Sequence, residues 1–339
     1  MAANVPTIKV GCHSNKFSMH ICVLDEEVGY DLPMIGYGTF GGADAPHLVH
    51  DAVKVALQCG YRHFDTAYLY QTERSLGDAI RESGVPREEV FVTTKLWQTF
   101  KRPEHVRPAC QRSLEDLGFD YIDMYMFHWP MAWEFHGFEH DKIQVKDENN
   151  DIKCIDIPII DTWREMEKLV KDGLVRSIGV ANFTIEMLEE LISKAEIPPA
   201  MNQIEIHPSL PQEEMVNWGK KNNVALTAFS PLGNPGFSWY AATGHSKTLE
   251  EPAVLKAAEK YNKTPVQILI NWGVARGYCV IPKSVTPERI KANIEYFKMD
   301  DEDVEEITKI GREHPVRTCD PVLMFGPSND VFGEHKKKA

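Results

Sequence analysis

Short β-branched runs alternate with stretches of helical apolar spacing along nearly all of this 339-residue chain, and that alternation limits what it can fold into. The runs are Met34–Phe40, His63–Thr66, Val90–Trp97, Ile122–His128, Val175–Asn182, Met201–Pro208, Val224–Leu232 and Cys279–Lys283. Between them, residues 46–59 carry Val49, Ala52, Val53 and Ala56 on one helical face, with Pro46 suited to a first turn. Residues 103–117 and 161–172 read alike, with Asp161 as an N-cap. Strands that each lead into a helix are parallel and joined by crossovers. Eight of them close a barrel, whereas an open doubly wound sheet usually has five or six. The expectation is an α/β fold, a (β/α)8 TIM barrel of the kind that takes ~250 residues and accepts loop insertions. It would be a single domain over 1–339: residues 1–27 an N-terminal extension or hairpin closing one end, 28–320 the barrel, 321–339 a C-terminal tail. Two long gaps, 129–160 and 233–250, follow strands and so belong to the catalytic face, where they are expected to wall a pocket.

Net charge is −13, a field that repels phosphate backbones, so no nucleic-acid partner is expected. The Lys336–Lys338 run reads as a solvated tail. The seven cysteines show no CxxC pair, which fits reduced thiols in the cytoplasm better than a disulfide framework or a zinc site. His128, His136 and His140 lack carboxylate or thiolate neighbours at ligand spacing and read as loop histidines, so no metal is expected. The start, Met1-Ala-Ala-Asn-Val-Pro, has no basic n-region or apolar core of a signal peptide, and no apolar stretch is long enough to span a membrane. The expected partner is a small molecule, bound by a monomer or homodimer.

Gly36-Tyr-Gly38-Thr-Phe-Gly41 mimics the G-x-G-x-x-G dinucleotide fingerprint, with Asp65 ending the next strand. The context is wrong for it. A true fingerprint has its last glycine inside a helix, but here Gly41-Gly42-Ala-Asp-Ala-Pro46 continues as loop.

Asp65, Lys95 and His128 lie at the C-terminal ends of three consecutive strand runs, and Tyr70 follows on the loop beyond Asp65. Singly, each has an ordinary explanation as a turn cap, a rim residue or a packed side chain. All four on one face of a barrel is harder to explain that way. The segment Gly60-Tyr-Arg-His-Phe-Asp65-Thr-Ala-Tyr-Leu-Tyr70-Gln-Thr-Glu73, continuing to Gly77, resembles a signature of the aldo-keto reductase superfamily, in its aldose reductase and xylose reductase branch. The resemblance runs over about residues 28–320 and implies that Asp65, Tyr70, Lys95 and His128 are a catalytic tetrad. Hydride addition leaves negative charge on a carbonyl oxygen, which must be protonated and stabilised. A neighbouring ammonium lowers a phenol's pKa, so Lys95 is expected to make Tyr70 a better acid, with Asp65 holding Lys95 and His128 orienting the carbonyl.

The resemblance also implies NADPH, with NADH as a weaker alternative. Asn182 and Gln203 stand where the family grips the carboxamide, and Phe229 where a ring stacks on the nicotinamide, which needs only a π face. Thr39, Asp65, Ser230, Leu232 and Asn293 complete that surface. Lys283, Ser284, Thr286 and Arg289 put two cations and two hydroxyls around a helix start, suiting a 2′-phosphate. Ala181 replaces a small hydroxyl residue, and Ala292 stands where many members carry Glu near the adenine. The pocket wall is expected from Phe40, Leu69, Trp97, Trp129, Trp133, Phe135, Trp239 and Cys319, with Trp133 and Phe135 equally readable as loop core. Cys319-Asp-Pro stands where xylose reductases resemble Asn-Asp-Pro, which weakens a sugar substrate. The implied function is an NADPH-dependent oxidoreductase reducing an aldehyde or ketone, whether aldose, uronate-type or other carbonyl, with Tyr70 as general acid. The alternatives are an NADPH-binding sensor or structural protein without turnover, and a metal-dependent barrel hydrolase, which the missing ligand clusters disfavour.

Overall fold

The computed structural model describes residues 4–11, 30–41, 45–234 and 248–335. Eight parallel strands follow one another around a single sheet: β1 (Tyr37–Gly38), β2 (His63–Asp65), β3 (Phe91–Leu96), β4 (Ile122–Phe127), β5 (Val175–Ala181), β6 (Met201–Glu205), β7 (Ala225–Phe229) and β8 (Cys279–Val280). The sheet closes on itself. Ile35 bridges Val280 in parallel, the Val280 N–H donates to the Met34 carbonyl (2.7 Å), and the Gly36 N–H donates back to the Val280 carbonyl (2.8 Å). The first and last strands are shorter than the runs Met34–Phe40 and Cys279–Lys283, because only these few residues reach ladder geometry at the seam.

The glycine string has its explanation at this seam. A Cβ on Gly38 would lie 2.9 Å from the Ile281 carbonyl oxygen, and one on Gly36 would lie 2.5 Å from the ring of His63. Close backbone approach, rather than a phosphate, is what these glycines allow.

Helices shield the outside of the barrel. α1 (Ala45–Gln58), α2 (Glu73–Ser83), α3 (Pro103–Leu117), α4 (Ile159–Lys171), α5 (Ile185–Lys194) and α6 (Glu213–Asn222) follow β1 to β6 in turn. Phe127 of β4 meets Trp163 of α4 edge-on at 5.5 Å, both buried. α4 begins earlier than expected, after Pro158, whose fixed φ sets the N-cap. Asp161 therefore lies in the first turn, where the helix dipole still favours its charge, and is not the cap.

Ahead of the barrel, Thr7–Val10 pairs antiparallel with Tyr30–Pro33. The second strand of this pair lies past residue 27 and leads straight into β1, so the pair sits at the end where strands begin, with Arg176 at the start of β5 over the Tyr30 ring (5.3 Å). At the opposite end, the 129–160 insertion forms a small ladder of Ala132–Trp133 with Cys154–Ile155. Residues 321–335 are not a loose tail. The short helix Pro321–Phe325 drives Phe325 against Trp133 (4.9 Å), Trp129 (5.8 Å) and Trp97 (6.2 Å), and the Asn329 amide donates to the Ile152 carbonyl (2.9 Å). Lys336–Lys338 lie outside the described residues. Cys59, Cys110, Cys154, Cys279 and Cys319 are free thiols. No helix among the described residues is long and apolar enough to cross a membrane.

Candidate active site

Strand ends bring the four residues together. Asp65 closes β2, Lys95 lies near the end of β3, and His128 directly follows β4. Tyr70 ends a single 3-10 turn, Tyr68–Tyr70, that Gln71 terminates with a left-handed φ of 58°. The Lys95 Nζ donates to Asp65 Oδ1 (2.6 Å) and to the Thr66 carbonyl (2.8 Å). Gln203 on β6 donates from Nε2 to the other Asp65 oxygen (2.6 Å). Above this buried pair, the Lys95 ammonium lies 5.1 Å from the Tyr70 ring centre, and the Tyr70 hydroxyl lies 3.4 Å from His128 Nε2. Asn182 donates to the His128 carbonyl (2.9 Å) and so fixes the start of the loop that carries the imidazole.

Burial sets the charges. It pushes the Lys95 amine down, against the pull of the Asp65 carboxylate, which favours the ammonium. His128 is held well below the usual histidine range by burial and by the nearby Lys95 and Lys101 charges, so its imidazole is neutral at physiological pH. For Tyr70 the expectation of a lowered pKa fails. Burial, then the Asp65 and Cys319 charges, hold the phenol well above its usual value. Lys95 is held by Asp65 and the Thr66 carbonyl, and its presence near the neutral phenol does not offset burial.

Around Tyr70, the Phe40 ring packs at a tilt of 57° with its centre 4.9 Å away and is 49% exposed, while Leu69 and Cys319 are partly exposed. Trp97, Trp129 and Trp133 do not present exposed faces as pocket walls would. All three are buried beneath Phe325, and Trp97 packs edge-on against His128 (5.1 Å). Trp133 donates from its indole N–H to Asn329 (2.8 Å) and is loop core. Phe135 stacks on His105 (3.9 Å) among Phe100 and Phe138, away from the four residues. Trp239 lies outside the described residues.

On the other side of the mouth, Asn182 adopts a left-handed φ of 63° beside Ala181, and Gln203 lies one strand over. Phe229 ends β7 half-buried, followed by Ser230 (φ 49°) and Leu232. Lys283 and Arg289 are exposed, and neither has a hydrogen bond or ion pair among the described residues. Between them the Ser284 hydroxyl accepts from the Thr286 N–H (3.1 Å), and Tyr37 donates to the Ser284 carbonyl (2.5 Å). Asn293 ends the same short helix, Pro287–Asn293, and is buried. Thr39 is placed differently from the expectation. It is fully buried, its hydroxyl bonded to the Asp65 carbonyl (3.0 Å) and to Thr72 (2.9 Å), so it supports the site from beneath.

Glu205 and His207 were not singled out from the sequence, yet both are buried at the mouth. The available signal was the alternation of polar residues at 203, 205 and 207, which places them on one strand face. Among the described residues, no group of three His, Cys, Asp or Glu side chains is placed to hold a metal ion.

The model of the Aldo/keto reductase family matches residues 34–312. Aldo-keto reductase family 1 member A1-A from Danio rerio is 43% identical over 291 residues, covering 84% of this chain and 88% of that protein. Glycerol 2-dehydrogenase (NADP(+)) from Saccharomyces cerevisiae is 40% identical over 299 residues, covering 86% and 91%. The structure of the aldose reductase from Schistosoma japonicum superposes with a TM-score of 0.81 at 36% identity, covering 91% of this chain and 97% of that one. The closed barrel and the match across most of its length lead to one conclusion: this chain belongs to the aldo/keto reductase family and is an oxidoreductase.

Proposed function

We propose that the chain reduces the carbonyl of a small aldehyde or ketone to an alcohol with NADPH, that Tyr70 is the proton donor, and that residues 28–320 work as one catalytic unit. The observation that carries this reading is the phenol of Tyr70 set 3.4 Å from His128 Nε2 above the buried Lys95–Asp65 pair. Bound reduced nicotinamide supplies the hydride to the carbonyl carbon. The chain's own residues orient the oxygen and protonate it. Neutral His128, with its proton on Nε2, donates to a carbonyl oxygen seated between it and Tyr70. As charge develops on that oxygen, the Tyr70 hydroxyl gives up its proton. The raised pKa of Tyr70 keeps it protonated beforehand. An alkoxide is far more basic than a phenolate, so the transfer remains favourable. The Lys95 ammonium, fixed by Asp65, then stabilises the phenolate left behind.

The donors and acceptors suit the cofactor. Asn182 and Gln203 each use their amide N–H2 within the protein, which leaves carbonyl oxygens to accept from a carboxamide. Buried Ala181 has no hydroxyl to return a bond to the carboxamide oxygen. Exposed Lys283 and Arg289, without partners among the described residues of a chain of charge −13, suit the 2′-phosphate. The yeast relative's name carries NADP(+), in keeping with that choice. Mixing the purified protein with NADPH and a simple aldehyde should consume the reduced nicotinamide absorbance. Folded protein that binds NADPH but leaves a panel of aldehydes untouched would instead favour a cofactor-binding protein without turnover.

A further inference from the structure

Glu205, 0% exposed at the C-terminal end of β6, has no task in the chemistry proposed above. Its carboxyl nevertheless gathers four donors. Oε1 accepts from the Thr318 N–H (2.9 Å), from the Thr318 hydroxyl and from His207 Nε2 (3.0 Å), while Oε2 accepts from the Cys319 N–H (3.0 Å). Burial works against its ionisation, but the hydrogen bonds from His207 and Thr318 and the charges of His207 and Arg317 outweigh it and hold the pKa below the usual range. A buried carboxylate so completely satisfied is rigid, because withdrawing a donor leaves charge unanswered in a poorly polarisable setting.

The node joins two parts of the mouth. Residues two apart share a strand face, so Gln203 and Glu205 stand about 7 Å apart along β6. Gln203 bonds to Asp65 beneath Tyr70, and Glu205 bonds to the crossing that carries Cys319, whose Sγ lies 3.6 Å from the Met324 sulfur. Thr318 extends the node by accepting from the Asn234 amide (2.8 Å). We infer that Glu205 is a positioning residue for substrate choice: it sets how far the wall formed by Cys319 and the 321–325 helix stands from Tyr70, and so which carbonyl compounds fit. This rests on the reductase reading above.

The test is Glu205→Gln, whose amide N–H2 would face donors where an oxygen now accepts, assayed with propanal and benzaldehyde at saturating NADPH. A hydrogen bond to a charged acceptor is worth a factor of about ten or more, so KM for propanal should rise about tenfold with kcat little changed. The kcat/KM ratio of the two aldehydes should shift toward benzaldehyde by a similar factor, with NADPH affinity unchanged. The ratio is independent of the fraction of active protein, so a general loss of stability does not move it. Thr318→Val, which removes the hydroxyl's bonds to Glu205 and from Asn234 but keeps the Thr318 and Cys319 N–H donors, should move the ratio the same way by less, and it decides the matter if E205Q does not fold. An unchanged ratio in the folded E205Q variant, or in T318V when that variant is the one left to judge by, overturns the inference while the wild type still turns over. A wild type that reduces neither aldehyde overturns the reductase reading and this inference with it.

Discussion

Tyr70 keeps its proton because burial, not a neighbouring cation, dominates its titration. Tyr70→Phe should leave NADPH binding intact and lower kcat by roughly 10²–10⁴, the usual worth of a positioned general acid. A variant with half the parent's turnover at saturating aldehyde would remove Tyr70 from that role. Arg289→Ala should weaken NADPH by about one to two orders of magnitude, since bonds to charged groups contribute ~1.5–3 kcal/mol. NADH, without the 2′-phosphate, should bind as before in the same fluorescence titration, and an equal loss for both cofactors would show that Arg289 does not face the phosphate. A third prediction concerns Glu73, buried at the start of α2 and accepting from the Thr94 hydroxyl (2.6 Å). Burial raises its pKa from 4.5 to about 7. Between those values the folded chain holds a proton that the unfolded chain has lost, so this group's stabilisation is complete below pH 4.5 and disappears as pH rises through about 7. The raised pKa corresponds to about 3 kcal/mol. Urea unfolding should therefore show Glu73→Gln gaining on the wild type as pH climbs through that window and levelling above it. A difference that does not vary with pH would place the proton elsewhere.

At the scale of elements, α3 was legible in full because both its ends are written locally: Pro103 sits in the first turn, and Gly118, at φ 66°, follows the last residue. That Asp65, Lys95, His128 and Tyr70 would meet was legible for a related reason, since strand ends share a face once the barrel is drawn. What local pattern could not show were partners brought from far along the chain. Glu205 meets Thr318 across 113 residues, and Trp133 meets Asn329 across 196. A tryptophan in a long insertion after a strand looks like pocket wall until the segment that buries it is known. Trp133 is 1% exposed, packed edge-on against Trp97 (5.4 Å) and Phe325. Trp133→Ala should accordingly cost ~3–5 kcal/mol in denaturant unfolding, the range for emptying a large aromatic site. A loss under ~1 kcal/mol would return Trp133 to the surface of the pocket.

The barrel is held shut by contacts between its first strand and its last, far apart in sequence. Met34, Ile35 and Gly36 pair with Val280, and Gly38 bonds to Pro282 (3.1 Å). No intermediate length of chain satisfies that edge, and β1 and β7 would each present an unpaired ladder without β8. A fragment ending at residue 277 should associate into soluble aggregates or precipitate, whereas the full chain should not, as judged by light scattering at equal concentration. A monomeric, cooperatively unfolding fragment would mean that the seam is dispensable. Pairings this remote in sequence are slow to find, and the chain is made from its N-terminus onward. During synthesis, then, the first strand waits for the eighth, and the barrel has no inside until Val280 has been made.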